Sequence, residues 1–318
     1  MRTNIVSTRA SHCAAVCKIA DGTLISYYNG PECTDRQAVN LEYWIDKRVA
    51  HVRLPDKTGN SVLIPLGDNK AVLIFSIFND TDGVEIAKHG ANRWRFCTNW
   101  QTIITIIGDQ IIVDDAIRFN FDNYVGHLVR CAPIKANNKW YLPTYKEHDV
   151  YGEVFTSTDG WNWTLLSRIG TNIEQQNGRF GKGILIQPTI WHHNETFYSL
   201  SRDVSDHYKA WYSESKDFGK HWSDPVSSEI DNANNSIVAI DMNIPEPLIV
   251  WNRGYNRNTL MLGKYHNKSA ISIQQLNKSK ASYPNYCFDN QNSLHIVHTD
   301  GIGIVRHILT KEEVASLI

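Results

Sequence analysis

The chain has 318 residues, a length that one all-β propeller or one α/β barrel can use as a single domain. Its 32 Lys and Arg residues and 33 Asp and Glu residues give a formal net charge of -1, with no long run of either sign. This balance argues against nucleic-acid binding and against attachment to a membrane surface, which need a basic footprint, and no apolar stretch approaches the roughly 18 residues that membrane insertion requires.

Short runs of alternating apolar residues, separated by turn residues, indicate β-strands along almost the whole chain. Six pairs of these runs form hairpins, with turns at Asp21-Gly22, 67–69, Asn137-Asn138, His193-Asn194, 243–246 and 289–292. The turns recur at intervals of roughly 50 residues, which is the size of one four-stranded propeller blade. The sequence therefore predicts an all-β fold, a six-bladed β-propeller that occupies residues 1–318 as one domain.

The segments between the hairpins and the two ends of the chain complete this prediction. Each linking segment is expected to hold an outer pair of strands, and a strand from the N-terminal segment is expected to close the last blade. Residues from about 311 to 317 are predicted to form a short helix, because Thr310 is a suitable N-cap and Glu312 and Glu313 lie in the first turn.

Two linking segments, 157–163 and 215–222, contain a turn motif of the form Ser-x-Asp followed by Gly and a closing Trp. In such a turn the carboxylate accepts hydrogen bonds from backbone N–H groups, Gly adopts a positive φ and Trp packs between two strands. We expect both turns to support the scaffold and to take no part in chemistry. Residues 96–100 are expected to hold a degenerate third copy.

The cysteines are scattered, without a CxxC pair or the spacing of a zinc finger. They are Cys13, Cys17, Cys33, Cys97, Cys131 and Cys287. We expect small buried thiols and synthesis in a reducing compartment. Residues 1–20 lack the apolar core of a signal peptide, so no export signal is predicted, and the destination in the cell stays open.

The turn motifs resemble the Asp-boxes of the sialidase superfamily, the six-bladed propellers that carry bacterial neuraminidase repeats. The resemblance runs from about residue 9 to 309, and residues 12–25, 186–190 and 282–284 are similar to phrases of its sialidase-like branch. It implies a funnel at the centre of the propeller. For true sialidases it also implies three arginines that clamp the sugar carboxylate, a Tyr paired with a Glu as nucleophile, and a loop Asp as acid or base.

Two positions depart from that pattern. His12 stands in the phrase where the family has its first clamp arginine, and Gln187 stands where the family has its Glu. An imidazole cannot replace a guanidinium fork on a carboxylate, but it can act as acid or base near neutral pH. A hydrogen-bonded structural histidine is the alternative for His12. The amide of Gln187 cannot take the proton of a phenol, so it is expected only to contact the sugar.

Three further candidates match the family by position. Arg202 is placed like the second clamp arginine, Tyr283 like the nucleophile, and Arg257, or alternatively Arg253, like the third arginine. Two guanidinium groups in one funnel suit a uronate or a sulfated sugar. Ion pairs at the rim of the funnel are the alternative for these arginines.

The loop after the first hairpin offers an acid. Asp35 fits the position of the family's loop acid, and an ion pair with Arg36 is the alternative reading. The other polar residues expected in the funnel are His127, Arg130 and Asn252.

This set of residues predicts a carbohydrate-active enzyme that cleaves a glycosidic bond in a glycan with an acidic or deoxy sugar. His12 and Tyr283 are expected to transfer protons, with Asp35 as a second acid. Arg202 and Arg257 are expected to orient the sugar. Hydrolysis and β-elimination both remain open, because either needs an acid, a base and a cation beside the sugar acid.

The alternative is a glycan-binding propeller without catalysis, for example a receptor-binding component of a virus particle. The absence of Arg at position 12 and of Glu at position 187 favours it. No motif implies a metal or an organic cofactor, although calcium in the funnel stays open. His192 and His193 indicate a hairpin turn and not a metal pair, since adjacent strand residues point to opposite faces. The oligomeric state stays open.

Overall fold

The computed structural model describes residues 1–31, 34–78, 94–119, 126–171, 183–277, 279–301 and 303–318. Within these ranges, 26 β-strands and one α-helix are present, and the strands form six antiparallel sheets of four or five strands. Each sheet is one blade, and the blades are numbered 1 to 6 from the first hairpin. The six-bladed, all-β propeller predicted from the sequence is confirmed.

The first half of the chain forms three blades, after an initial strand β1 (Arg2–Ser7) that belongs to the last blade. Blade 1 contains β2 (Ser11–Ile19), β3 (Gly22–Asn29), β4 (Ala38–Ile45) and β5 (Lys47–Arg53). Blade 2 contains β6 (Thr58–Pro65), β7 (Lys70–Ile77), β8 (Thr98–Ile107), β9 (Gln110–Val113) and β10 (Ile117–Arg118). Blade 3 contains β11 (His127–Val129), β12 (Ile134–Ala136), β13 (Lys139–Lys146), β14 (Tyr151–Ser157) and β15 (Thr164–Ile169).

The second half of the chain forms the other three blades and a short helix. Blade 4 contains β16 (Leu185–His193), β17 (Thr196–Asp203), β18 (Lys209–Ser215) and β19 (Val226–Asp231). Blade 5 contains β20 (Val238–Ala239), β21 (Leu248–Asn252), β22 (Leu260–His266) and β23 (Ser269–Gln275). Blade 6 contains β24 (Ala281–Phe288), β25 (Leu294–Asp300), β26 (Gly303–Leu309) and, on its outer edge, β1. The helix is α1 (Lys311–Ala315).

The six predicted hairpins form the two innermost strands of the blades. Their turns join β2 to β3, β6 to β7, β12 to β13, β16 to β17, β20 to β21 and β24 to β25, as predicted. The first strands of neighbouring blades contact one another, with β2 against both β6 and β24 and β16 against β20. The starts of these strands therefore surround one end of a central channel, and the hairpin turns surround the other.

The two ends of the chain meet in blade 6. Strand β1 pairs with β26, so the N-terminal segment closes the last blade as expected. Thr310 caps α1, with reciprocal hydrogen bonds between Thr310 and Glu313, and the N-terminal amine of Met1 forms an ion pair with Glu313. The helix ends at Ala315, and within the described residues no helix is long and apolar enough to cross a membrane.

The apolar core lies between neighbouring sheets. Leu24 of blade 1 and Leu73 of blade 2 are fully buried in one cluster, and Leu262 of blade 5 and Leu294 of blade 6 are fully buried in another. Burial of one such side chain contributes about 1.5–3 kcal/mol. The blades are therefore held against each other along their faces, and the starts of the inner strands have fixed positions around the channel.

The predicted turn at 157–163 joins β14 to β15, and the turn at 215–222 joins β18 to β19. Asp159 accepts hydrogen bonds from the backbone N–H groups of Trp161 and Asn162 over 2.9 and 2.8 Å, and Gly160 has a φ of +75°. Residues 96–100 differ, because they enter β8, the third strand of blade 2, and do not join a third strand to a fourth. The expected third copy is therefore wrong.

Five cysteines lie in the described residues, and no disulfide joins any two of them. Cys13, Cys17, Cys97 and Cys131 are buried, as expected for small apolar side chains. Burial raises the pKa of the Cys17 thiol to about 12. The sixth, Cys33, lies outside the described residues.

Candidate functional site

Three inner strands have the same irregularity near their start. In β2, β16 and β24, two residues lie opposite one residue of the partner strand, and the first of the two has a positive φ. These first residues are Cys13, Gln187 and Tyr283, with φ of 54°, 51° and 57°. A β-bulge redirects a side chain out of the alternating pattern of its strand. All three side chains line one cavity at the same end of the channel.

This cavity receives side chains from blades 1, 2, 3, 4 and 6. Its described lining consists of Cys13, Asn60, Trp94, Tyr145, Glu147, Gln187, Arg202 and Tyr283. Its volume is about 80 Å³, enough for a few water molecules or for one carboxylate or hydroxyl group of a larger ligand. The cavity can therefore take one polar group of a larger molecule and not a whole sugar ring.

A chain of hydrogen bonds crosses this cavity from blade 4 to blade 3. Arg202 Nη1 donates to Gln187 Oε1 over 3.1 Å, and Gln187 Nε2 donates to the Tyr145 phenol oxygen over 3.1 Å. Arg202 Nε also donates to Asn234 Oδ1 over 2.7 Å. Because both ends of the Gln187 amide are engaged, this side chain has a fixed orientation.

The Tyr283 phenol lies beside Arg257 of blade 5. Arg257 Nη1 donates to the Tyr283 oxygen over 3.3 Å, and the guanidinium carbon lies 4.9 Å from the ring centroid. Arg257 is also fixed by hydrogen bonds to Asn235 Oδ1 and to the backbone oxygen of Asn234. Arg253, the alternative from the sequence, is exposed in the same loop. Of the two, the structure brings Arg257 to Tyr283.

The electrostatic setting of Tyr145 keeps its phenol neutral. Burial raises the pKa of Tyr145 well above its usual value, and the nearby carboxylate of Glu147 raises this pKa further. The hydrogen bond from Gln187 and the positive charge of Arg202 act in the opposite direction and lower the pKa. The Tyr145 phenol therefore keeps its proton throughout the physiological pH range.

His12 and Asp35, chosen from the sequence for proton transfer, are not among the described lining residues of the cavity. His12 precedes the bulge in β2, and its ring centroid lies 5.7 Å from that of Tyr28. Cys13 occupies the bulge position equivalent to Gln187, and His12, which stands in the phrase of the first clamp arginine, precedes that bulge. Asp35 is exposed in the turn before β4 and is not among the described lining residues.

Arg130 lies near the site but turns away from the cavity. It is buried, and its guanidinium donates to the backbone oxygens of Ala14 and Pro284 over 3.4 and 3.1 Å. Its guanidinium carbon lies 5.3 Å from the Tyr283 ring centroid. Arg130 therefore joins blades 1, 3 and 6 behind the cavity.

His127 and Asn252 also contact their own surroundings. His127 Nδ1 lies 2.9 Å from Glu153 Oε2, and burial lowers the pKa of His127 although Glu153 raises it. Asn252 Nδ2 donates to the backbone oxygen of Ala281 over 3.0 Å. Neither residue is among the described lining residues of the cavity.

Sequence reasoning missed Tyr145, near the end of β13, and Glu147, in the turn that follows this strand. The spacing of these two residues carried no signal, because the alternation of side chains in a strand does not extend into a turn. For Cys13 the sequence did contain a signal. Gln187 and Tyr283, the bulge residues of two other inner strands, each directly precede a proline, and alignment of the blades places Cys13 at the same position in β2.

The other end of the channel has a larger hollow of about 690 Å³ among the hairpin turns. Trp140, Lys18 and Lys135 are among its described lining residues, and no arginine is. Among the described residues, no group of three or more His, Cys, Asp or Glu side chains could hold a metal ion. Arg202, Arg257 and Tyr283 lie at the opposite end of the channel.

Six blades, closure by the N-terminal strand and a polar cavity at the starts of the inner strands define a propeller of the sialidase-like type. The family described as BNR repeat-like domain matches residues 44–296 of the chain. The chain belongs to this family. No curated protein matches the sequence.

Solved structures share this fold at low sequence identity. Trypanosoma rangeli sialidase in complex with the inhibitor DANA matches with a TM-score of 0.68, 12% identity and coverage of 97% of this chain and 56% of that chain. The Hadza microbial sialidase Hz136 matches with a TM-score of 0.72, 9% identity and coverage of 96% and 66%. A protein of unknown function from Dyadobacter fermentans matches with a TM-score of 0.70, 9% identity and coverage of 97% and 99%. The likeness shows a common fold, and the chain spans 56% of the Trypanosoma rangeli sialidase.

Proposed function

We propose that the chain is a carbohydrate-active enzyme that cleaves a glycosidic bond of an acidic sugar in a glycan. One observation carries the proposal: Arg202 and Arg257, from adjacent blades, lie with the Tyr283 phenol at the same end of the channel. Two guanidinium groups bind a carboxylate or a sulfate through charge-assisted hydrogen bonds. The Tyr283 phenol would then lie next to the glycosidic bond of the bound acidic sugar.

Proton transfer in this proposal uses Tyr283 and Glu147. Glu147 is the one carboxylate among the described lining residues, and glycosidic cleavage requires an acid and a base near the same bond. The sequence analysis predicted proton transfer by His12 and Tyr283, and His12 is not among the described lining residues of the cavity. In hydrolysis, water adds across the bond. In β-elimination, the base removes a proton from the sugar ring carbon next to the carboxylate, and the acid protonates the leaving oxygen.

The experiment measures cleavage of a panel of acidic oligosaccharides by the full chain. Release of reducing sugar indicates either reaction, and ultraviolet absorbance of an unsaturated uronate identifies elimination. We expect Glu147→Gln to lower kcat about 100-fold or more, and Arg202→Ala to raise KM. Arg253→Lys, in the exposed loop, is the matched control and leaves both constants unchanged. Full activity of Glu147→Gln would contradict the assigned role.

Binding without catalysis is the second candidate, and Gln187 favours it. The Gln187 amide cannot accept a phenolic proton, and in the part of the chain that the structure describes the Tyr283 oxygen has Arg257 as its hydrogen-bond partner and no carboxylate. Suppose that the unchanged chain binds a glycan without cleaving it, and that Arg202→Ala no longer binds this glycan. That result would establish glycan binding in place of catalysis.

A further inference from the structure

Tyr145 was not selected from the sequence, yet its phenol has a defined place in the cavity. The orientation of the neighbouring amide is fixed, because Arg202 has only donors and its Nη1 lies 3.1 Å from Gln187 Oε1. The other end of that amide, Nε2, must then face Tyr145 and donate to the phenol oxygen over 3.1 Å. The phenolic proton is not used in this bond.

A second amide lies on the same oxygen. Asn60 Nδ2 is 3.5 Å from the Tyr145 oxygen, a long contact in the donor direction. A phenol oxygen has one hydrogen and two lone pairs, so two amide donors leave its hydrogen for a third partner. Among the described residues the hydrogen-bond partners of the Tyr145 phenol oxygen are these two amides, and the side chain is buried and lines the cavity. The buried Asn60 Oδ1 has no hydrogen-bond partner in this arrangement, so the direction of the Asn60 amide is the point that the neutron experiment below decides.

We propose that Tyr145 is a specificity-determining residue of this site, which donates a hydrogen bond to an oxygen of the acidic group inserted in the cavity. This inference rests on the proposed binding of an acidic glycan. Arg202 strengthens the hydrogen bond from Gln187 to the Tyr145 phenol, because linked hydrogen bonds polarise each other. A cavity of about 80 Å³ has room for a carboxylate or a hydroxyl group next to Tyr145.

The amide of Gln187 decides which group donates in the series of hydrogen bonds from Arg202 through Gln187 to Tyr145. A glutamate there would accept the hydrogen of Tyr145 and would place a negative charge beside the inserted group. The amide donates to Tyr145 instead, so the phenol presents its hydrogen to the ligand. Gln187 is therefore a positioning residue that favours ligands with an acceptor oxygen at this point.

The first experiment measures binding of DANA and of glucuronic acid to the full chain by titration calorimetry. We expect Tyr145→Phe to weaken binding about 10-fold or more, as for the loss of a hydrogen bond to a charged acceptor. Gln187→Glu is expected to weaken binding at least as much. Tyr141→Phe is the matched control, because Tyr141 is a buried tyrosine of the same strand β13 outside the described lining of the cavity, and it should bind like the unchanged chain.

The pH dependence separates a phenol donor from a carboxylic acid or imidazolium donor. Because the phenol stays protonated, the ratio of affinities between the unchanged chain and Tyr145→Phe should be constant from about pH 6 to pH 9. A carboxylic acid or imidazolium donor would lose its hydrogen over that range or below it. Equal affinity of Tyr145→Phe and the unchanged chain, or tighter binding by Gln187→Glu, would overturn the inference.

Neutron crystallography of the unliganded chain tests the inference without a ligand, since it locates the phenolic hydrogen directly. We expect this hydrogen to point into the cavity, toward a water oxygen at about 2.6–3.0 Å from the phenol oxygen. If it does and neither probe binds, the proposed function fails while the donor arrangement stands. If Asn60 is rotated so that its oxygen accepts the hydrogen, the inference fails whatever the probes do.

Discussion

The Nε2 atoms of His298 and His307 lie 2.9 Å apart between strands β25 and β26, and the two rings are stacked with centroids 5.1 Å apart. His298 Nδ1 is 2.9 Å from the backbone oxygen of Thr299, so it carries a hydrogen and leaves Nε2 as an acceptor. His307 then donates from Nε2 and accepts from the Thr3 hydroxyl at Nδ1, over 3.0 Å. This network connects the closing strand β1 to blade 6 with both imidazoles neutral.

Acidification is therefore expected to destabilise the fold. Burial lowers the pKa of both imidazoles, that of His307 to about 4, whereas an unfolded histidine titrates near 6.5. Between those values the unfolded chain binds more protons, so the free energy of unfolding falls as the pH decreases from about 6.5 to about 4. Thermal unfolding over a pH series measures this slope.

Replacement of one ring provides the control for this pH effect. His307→Gln cannot titrate, so the slope between pH 6.5 and 4 should decrease without vanishing, because burial also lowers the pKa values of His127 and His295. An unchanged slope in His307→Gln would show that the stacked pair does not set the pH dependence.

The turn at Asp159 is expected to contribute measurably to stability. Its carboxylate accepts two backbone hydrogen bonds, from Trp161 and Asn162, much as an N-cap side chain does at the start of a helix. Asp159→Ala should lower the free energy of unfolding by about 1 kcal/mol, and Asp159→Asn, which keeps an acceptor oxygen, should lower it less. Denaturant unfolding measures both, and equal losses would exclude the acceptor oxygen as the cause.

Arg257 and Arg253 provide a direct comparison of two arginines in one loop. Arg257→Lys loses the planar group that contacts Asn235, the Asn234 backbone and Tyr283, so binding of an acidic sugar should weaken about 10-fold. Arg253→Lys, at an exposed position, should change binding by less than about twofold. Titration calorimetry with DANA measures both variants, and the reverse order would assign the clamp to Arg253.

The fold followed from local signals, because each hairpin turn, such as Asn137-Asn138, lies between two alternating runs and needs no distant partner. Three of the predicted site residues line one cavity. Gln187, Arg202 and Tyr283 lie at the starts or ends of inner strands, and the geometry of a propeller brings those ends together. Their positions followed from the blade pattern, and their roles stay predictions.

The remaining errors have physical causes in backbone geometry and in packing between blades. In β2 the bulge residue is Cys13, so the Cys13 side chain lines the cavity, whereas His12 precedes the bulge and is not among the described lining residues. Tyr145 and Glu147 reach the cavity from blade 3. The spacing of residues within one strand does not predict which residues of another blade that strand contacts. Arginine is a common ligand-binding residue, but the buried guanidinium of Arg130 donates its hydrogen bonds to backbone oxygens.

Arg130 is expected to stabilise the fold more than it binds a ligand. The oxygens of Ala14 and Pro284, which Arg130 contacts, belong to the bulges of β2 and β24, where the regular ladder is interrupted. Arg130→Met fills similar space but leaves two buried oxygens without their donor, and it should lower the free energy of unfolding by about 3 kcal/mol.

Urea unfolding of Arg130→Met measures this loss, and Arg130→Lys, which keeps a donor of shorter reach, should recover part of it. The acidic glycan should bind to the folded fraction of both variants with little change, because the guanidinium turns away from the cavity. Unchanged stability together with lost binding would instead make Arg130 the ligand-contacting residue that its position in the sequence first indicated.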